Sequence, residues 1–121
     1  MPRALLVQVD PLVVSQVSEI LRGEGYEVLV ERDGLDALVA VERLAPDVVL
    51  SDIAMPRLDG ISFLQALRAR EDTRRIPVLI LSTVADPETM LLGLAAGARS
   101  YLTVPLEREE LIFKVKRAVV S

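Results

Sequence analysis

Short aliphatic runs in this chain end in groups able to take part in chemistry. The run from Ala4 closes with Gln8 and Val9 and is followed by Asp10. Val48-Val49-Leu50-Ser51 leads to Asp52, and Val78 to Leu81 leads to Ser82 and Thr83. A fourth run carries Thr103 just before Val104 and Pro105. Carboxylates and hydroxyls gathered at strand ends can hold a cation, accept a transferred group or cap the next helix. The missing residue types narrow that list. The sequence has no cysteine and no histidine. Disulfides, thiolate metal sites, cysteine nucleophiles and the Ser-His-Asp triad are therefore excluded. The commonest general base and transition-metal ligand is gone as well.

These groups need elements to position them, and the hydrophobic pattern supplies them. Ala4 to Val9, Glu27 to Val30, Val48 to Ser51, Val78 to Leu81 and Ser100 to Val104 read as strands. Near-continuous Val, Leu and Ile is what strands buried on both faces require. Between them lie helical patterns over Leu12 to Arg22, Gly34 to Leu44, Ile61 to Arg70, Pro87 to Ala96 and Glu107 to Val120. Asp10-Pro11 is a helix-start pair, and Asp10 is read first as a cap of the first helix. Leu35, Leu38, Val41 and Leu44 are expected on the inner stripe of the second helix, and Leu91 and Leu94 on that of the fourth. Strand-helix units without hairpin signals imply an α/β fold: a doubly wound five-stranded parallel sheet with helices on both faces. A ligand or chemical site is then expected at the carboxyl ends of the strands.

Length and charge bound the rest. The 121 residues fit one domain, 1–121, and 51% hydrophobic residues give it enough for a core. Fourteen basic residues against 18 acidic ones leave a net charge of −4, which disfavours direct nucleic-acid binding by the whole surface. No apolar run approaches the roughly 18 residues a membrane span needs. The apolar stretch after Met1-Pro2-Arg3 is too short for a signal peptide. A soluble cytoplasmic domain is the expectation.

At this point the sequence resembles a response-regulator receiver domain of two-component signalling, over nearly the whole chain. Pro46-Asp47-Val48-Val49-Leu50-Ser51-Asp52-Ile53-Ala54-Met55-Pro56, followed by Leu58-Asp59-Gly60, is similar to the family pattern around the phosphoaccepting aspartate. Ile76 to Ser82 resembles the fourth strand with its hydroxyl switch residue, and Gly93 to Leu102 the next helix end and strand. The resemblance implies the flavodoxin-like receiver fold with strand order 2-1-3-4-5. It implies Asp52 as phosphoacceptor, Ser82 as hydroxyl switch and Tyr101 as aromatic switch. It also implies a histidine kinase as phosphodonor, a bound magnesium ion, and output through the face made by the fourth helix, fifth strand and fifth helix. The plainer alternatives are a loop-capping Asp52, a strand-end hydroxyl at Ser82 and a sheet-edge filler at Tyr101.

The sequence departs from the family at three charged positions. Gln8 and Val9 stand where the family has an acidic pair, and Val104 where it has a lysine. Magnesium takes an octahedral oxygen shell and dehydrates reluctantly, so one carboxylate holds it far less well than three. Asp52 and, secondarily, Asp10 are the weak metal candidates, and Gln8 is expected to bond Asp52 or backbone instead. Arg57 is the nearest cation in sequence to Asp52, with a flexible exposed side chain as the plainer reading. Hence no cofactor is expected, with magnesium entering only where the site works.

The reading is an atypical receiver that is not an enzyme and acts by protein-protein contact with a histidine kinase or a downstream effector. The alternative is a working phosphoacceptor at Asp52. A small-molecule enzyme on the same scaffold is remote, because no glycine-rich loop follows the first strand. Leu92 and Ala95 would lie on the outer side of the fourth helix, and Phe113 off the stripe made by Leu111, Val115 and Ala118. That apolar exterior is expected to meet a partner or a second copy of the chain.

Overall fold

In a computed structural model, residues 1–120 are described and form ten alternating elements. They are β1 (Arg3–Val7), α1 (Pro11–Gly23), β2 (Glu27–Glu31), α2 (Gly34–Leu44), β3 (Val48–Ser51), α3 (Gly60–Ala69), β4 (Val78–Ser82), α4 (Pro87–Ala95), β5 (Ser100–Thr103) and α5 (Arg108–Val120). All strand pairs are parallel, in the order β2-β1-β3-β4-β5. The doubly wound arrangement and the strand order match the expectation.

Side-chain alternation along each strand makes two cores. Ala4, Leu6, Val48, Leu50, Leu79, Leu81 and Leu102 point to the side covered by α1 and α5. Leu5, Val7, Val49, Val78, Ile80 and Tyr101 point to the side covered by α2, α3 and α4. Phe63 of α3 is wholly buried there.

Aspartate starts four of the five helices. Asp10, Asp33, Asp59 and Asp86 accept hydrogen bonds from the backbone N–H of Leu12, Asp36, Ser62 and Thr89. Each satisfies a donor that the first helical turn leaves without a partner. Proline occupies the first turn of α1 and α4, where its missing N–H costs nothing.

The expected stripe of α4 is wrong, and that of α2 holds for Val41 but not for Leu35. On α2 the inward residues are Ala37, Ala40 and Val41, while Leu35 is 42% exposed. Leu38 and Leu44 pack at the margin. The helix lies close against β1 and α3, and Phe63, Leu64 and Leu67 already fill that space, so small side chains face in. On α4 the inward residue is Gly93, flanked by half-buried Met90 and Ala96. A Cβ on Gly93 would stand 2.6 Å from Ile80 Cδ1. A side chain there would require Ile80 to shift, and with Gly93 facing in, Leu91 (67% exposed) and Leu94 lie on the outside. On α5, Leu111, Val115 and Ala118 are buried and Phe113 is exposed, as the spacing predicts.

Candidate functional site

The carboxyl ends of β1, β3, β4 and β5 bring Gln8, Asp52, Ser82 and Val104 to one rim of the sheet. Register does this. Val7 pairs with Ser51, and Ser51 with Ile80, so Gln8 and Leu81 flank Asp52 at the next level. Ser82 pairs with Thr103, and the Val104 N–H donates to the Ser82 carbonyl at 2.9 Å.

Asp52 is half-buried. Its N–H donates to the Val7 carbonyl at 3.0 Å, and its Oδ1 accepts from the Ile53 N–H at 2.6 Å. The loop behind it closes tightly. The Gly60 N–H donates to the Ile53 carbonyl at 2.8 Å. A Cβ on Gly60 would lie 2.2 Å from the Asp52 carbonyl oxygen. The Ser51 hydroxyl donates to that same carbonyl at 2.9 Å.

The positions expected to carry charge are occupied otherwise. Gln8 is buried, and its Oε1 accepts from the N–H groups of Val9 and Asp10 at 3.2 and 3.3 Å. Val9 is 40% exposed. Asp10 Oδ1 accepts from the Leu12 N–H at 2.9 Å, so Asp10 caps α1. Val104 packs against the core on the α1–α5 side. Among the described residues no group of three metal-ligating side chains comes together. The groups at the end of β1, beside Asp52 in the sheet, are thus one neutral amide (Gln8) and one carboxylate already engaged as a cap (Asp10). This donor set does not fit the charged, oxygen-rich shell that magnesium takes.

Ser82 and Tyr101 both bond to Val84. Ser82 Oγ accepts from the Val84 N–H at 3.0 Å, and the Tyr101 hydroxyl donates to the Val84 carbonyl. Burial raises the Tyr101 phenol above its ordinary value, a hydrogen bond with Ser82 works against that, and the Asp86 and Asp52 carboxylates add to the rise. Tyr101 thereby ties β5 to the β4–α4 loop, within electrostatic reach of Asp52.

Arg57 is neither a free side chain nor a neighbour of the Asp52 carboxylate in bonding. Its Nη2 donates to both oxygens of Asp33 (3.1 and 2.9 Å) and to Asp36 Oδ1 (2.8 Å). Arg57 holds φ at +66°, a left-handed conformation uncommon for a side-chain-bearing residue. The Asp36 backbone N–H, then Arg57, keep the Asp33 carboxyl below its usual value. The loop thus latches onto the N-terminus of α2, where a Cβ on Gly34 would be 2.1 Å from the Leu58 carbonyl oxygen. Sequence reasoning missed this contact. Its partners are 24 and 21 residues apart, and only the Asp33-Gly34 helix start hinted at it.

On the far side of the sheet edge, Leu92 is 55% and Phe113 is 59% exposed, and Ala95 is exposed as well. Leu91 and Leu94 join Leu92 and Ala95 on the outside of α4.

With fold and site in view, comparison with known proteins places the chain. The response regulator receiver domain family matches residues 4–116, and the chain belongs to that family. A putative response regulator of Chloroflexus aurantiacus has a solved structure that is 32% identical and superposes with a TM-score of 0.95 over 100% of both chains. The receiver domain of the sensor histidine kinase PA1611 of Pseudomonas aeruginosa, solved with magnesium in its active-site cleft, is 34% identical with a TM-score of 0.91, over 99% of this chain and 98% of that one. The DNA-binding response regulator MtrA of Mycolicibacterium smegmatis is 37% identical over 94% of this chain and 49% of its own. The chain spans about half the length of such curated relatives. Among the described residues no helix is long and apolar enough to cross a membrane.

Proposed function

We propose that this receiver is an atypical one: a non-enzymatic module of a two-component pathway that acts by binding protein partners through α4, β5 and α5. Its output does not depend on magnesium-assisted phosphorylation. The observation that carries this reading is the donor set around Asp52. Gln8 spends its amide oxygen on backbone N–H groups, Val9 and Val104 bring no charge, and Asp10 caps α1. Phosphoryl transfer relies on electrostatic stabilisation of a charged group, and here neither a metal shell nor a lysine supplies it. The exposed leucines of α4 support the docking half of the reading. A histidine kinase or a downstream effector is the partner class.

The second reading keeps Asp52 as a phosphoacceptor for a histidine kinase. It is favoured by the arrangement of Asp52, Ser82 and Tyr101, which ties the β4–α4 loop to the aspartate's surroundings. Amide NMR spectra with magnesium, then with beryllofluoride as a phosphoryl mimic, separate the two. The first reading expects resonances of Asp52, Ser82 and Tyr101 to stay in place. Movement at all three with beryllofluoride overturns it in favour of the second.

A further inference from the structure

At the sheet edge opposite β5, a cleft of about 440 Å³ runs between α1 and the edge strand β2. Its volume is in the range of small-molecule sites. Val14, Ser15, Ser18, Glu19, Arg22 and Val30 line it. The most buried of them is polar. Ser18 is 4% exposed, and among the described residues its Oγ is the one buried side-chain polar atom without a hydrogen-bond partner. Folding gives no reason for that hydroxyl. Alanine would fit the same space, favours helix more and leaves nothing unpaired. A buried hydroxyl that lines a cleft can take its partner from a molecule seated there.

Around Ser18 the cleft carries both signs of charge. Ser15, Ser18, Glu19 and Arg22 follow one another at helical spacing along one face of α1. The Arg22 Nη2 donates to the Val28 carbonyl of β2 at 3.4 Å, which sets the guanidinium toward the strand and leaves its other N–H groups to donate. Among the described residues neither Glu19 nor Arg22 is in an ion pair. Half-buried Val14 and Val30 make the apolar part of the wall, and Ser15 adds a second hydroxyl at the exposed rim.

From this we infer that the α1–β2 cleft binds a free aliphatic α-amino acid. Its carboxylate would meet the Arg22 guanidinium and accept from the Ser18 hydroxyl. Its ammonium would meet Glu19, and its side chain would lie along Val14 and Val30. The paired charges select a zwitterion. A simple carboxylate sets like charge against Glu19, and a simple alkylamine sets like charge against Arg22. None of the cleft residues belongs to the Asp52 site or to the α4–β5–α5 face, so this inference stands apart from the reading of the chain as an atypical receiver.

The test is an amide NMR titration of the full chain with L-leucine. Saturable shifts confined to α1 and β2 are expected. Two analogues share the leucine side chain: 4-methylpentanoate lacks the ammonium, and 3-methylbutylamine lacks the carboxylate. Each should bind at least about tenfold more weakly, the equivalent of one lost hydrogen bond to a charged group. Ser18→Ala should weaken leucine binding several-fold yet hold or raise the urea midpoint, because the hydroxyl has no partner in the fold. Glu19 is exposed, so Glu19→Gln should fold, and it should erase the preference for leucine over 4-methylpentanoate. No saturable shift, equal binding of either analogue, or unchanged leucine binding in Ser18→Ala overturns the proposal. So does a lowered midpoint in Ser18→Ala, which would assign the hydroxyl to the fold, or a preference that survives Glu19→Gln.

Discussion

Gly60→Ala should destabilise this protein, although alanine is the better helix former. Gly60 opens α3, and its N–H bonds the Ile53 carbonyl directly after Asp52. An added Cβ would meet three backbone atoms: the Asp52 carbonyl oxygen at 2.2 Å, Ile53 Cα at 2.8 Å and the Asp52 carbonyl carbon at 3.0 Å. Ordinary contact begins near 3.4 Å, so backbone must retreat by about 1 Å. Overpacking of this kind costs about 1–3 kcal/mol. Loss of the Gly60–Ile53 hydrogen bond adds about 1 kcal/mol. The gain in helix propensity returns at most about 1 kcal/mol. The net loss is about 2 kcal/mol, which at a urea slope of about 2 kcal/mol/M moves the unfolding midpoint down by about 1 M. Gly23→Ala is the matched control. It ends α1 with nothing within 4 Å of its would-be Cβ and an ordinary φ, so it should hold or raise the midpoint. Equilibrium urea unfolding followed by circular dichroism measures both. A Gly60→Ala midpoint at or above the parent's would falsify the claim that α3 is seated against the Asp52 backbone.

Arg57→Ala should release the β3–α3 loop from α2, read as faster amide exchange over residues 53–60 with the sheet amides unchanged. Asp33 has a folded-state pKa below its unfolded one, so its contribution to stability is complete above the ordinary carboxylate range and is lost as pH falls through the lowered value. An NMR titration of Asp33 should therefore move upward in Arg57→Ala, and an unmoved titration would refute the latch. Tyr101→Phe keeps the ring in place but removes its hydrogen bond to the Val84 carbonyl. A loss of about 1 kcal/mol is expected, with faster exchange confined to the β4–α4 loop. Uniformly faster exchange would place the hydroxyl's role elsewhere.

The layered fold was legible because its signals are local. Strand runs such as Val48-Val49-Leu50-Ser51 and the Asp10-Pro11 helix start need no distant partner to be read. The inward faces of α4 and α2 show where that reading stops. α4 is apolar on nearly every side, so hydrophobic spacing cannot choose its inward face. The close seat of Gly93 on Ile80 chooses it instead, and leaves Leu91 and Leu94 exposed. On α2 the spacing finds Val41, but Ala37 and Ala40 rather than Leu35 share its inward face, because Phe63 and its neighbours fill that volume.

By itself the sequence determined the alternation of strand and helix, the family pattern around Asp52, and the absence of charge at positions 8, 9 and 104. Each of these is a property of residue type and order. The tertiary structure decided which segments the remaining polar groups join. Strand register set Gln8 level with Asp52, and the latch of Arg57 onto Asp33 and Asp36 joined segments that no local spacing connects. Hydrogen bonds and ion pairs act over a few ångströms, and distances that short between residues 20 or more apart in the chain exist only once it has folded.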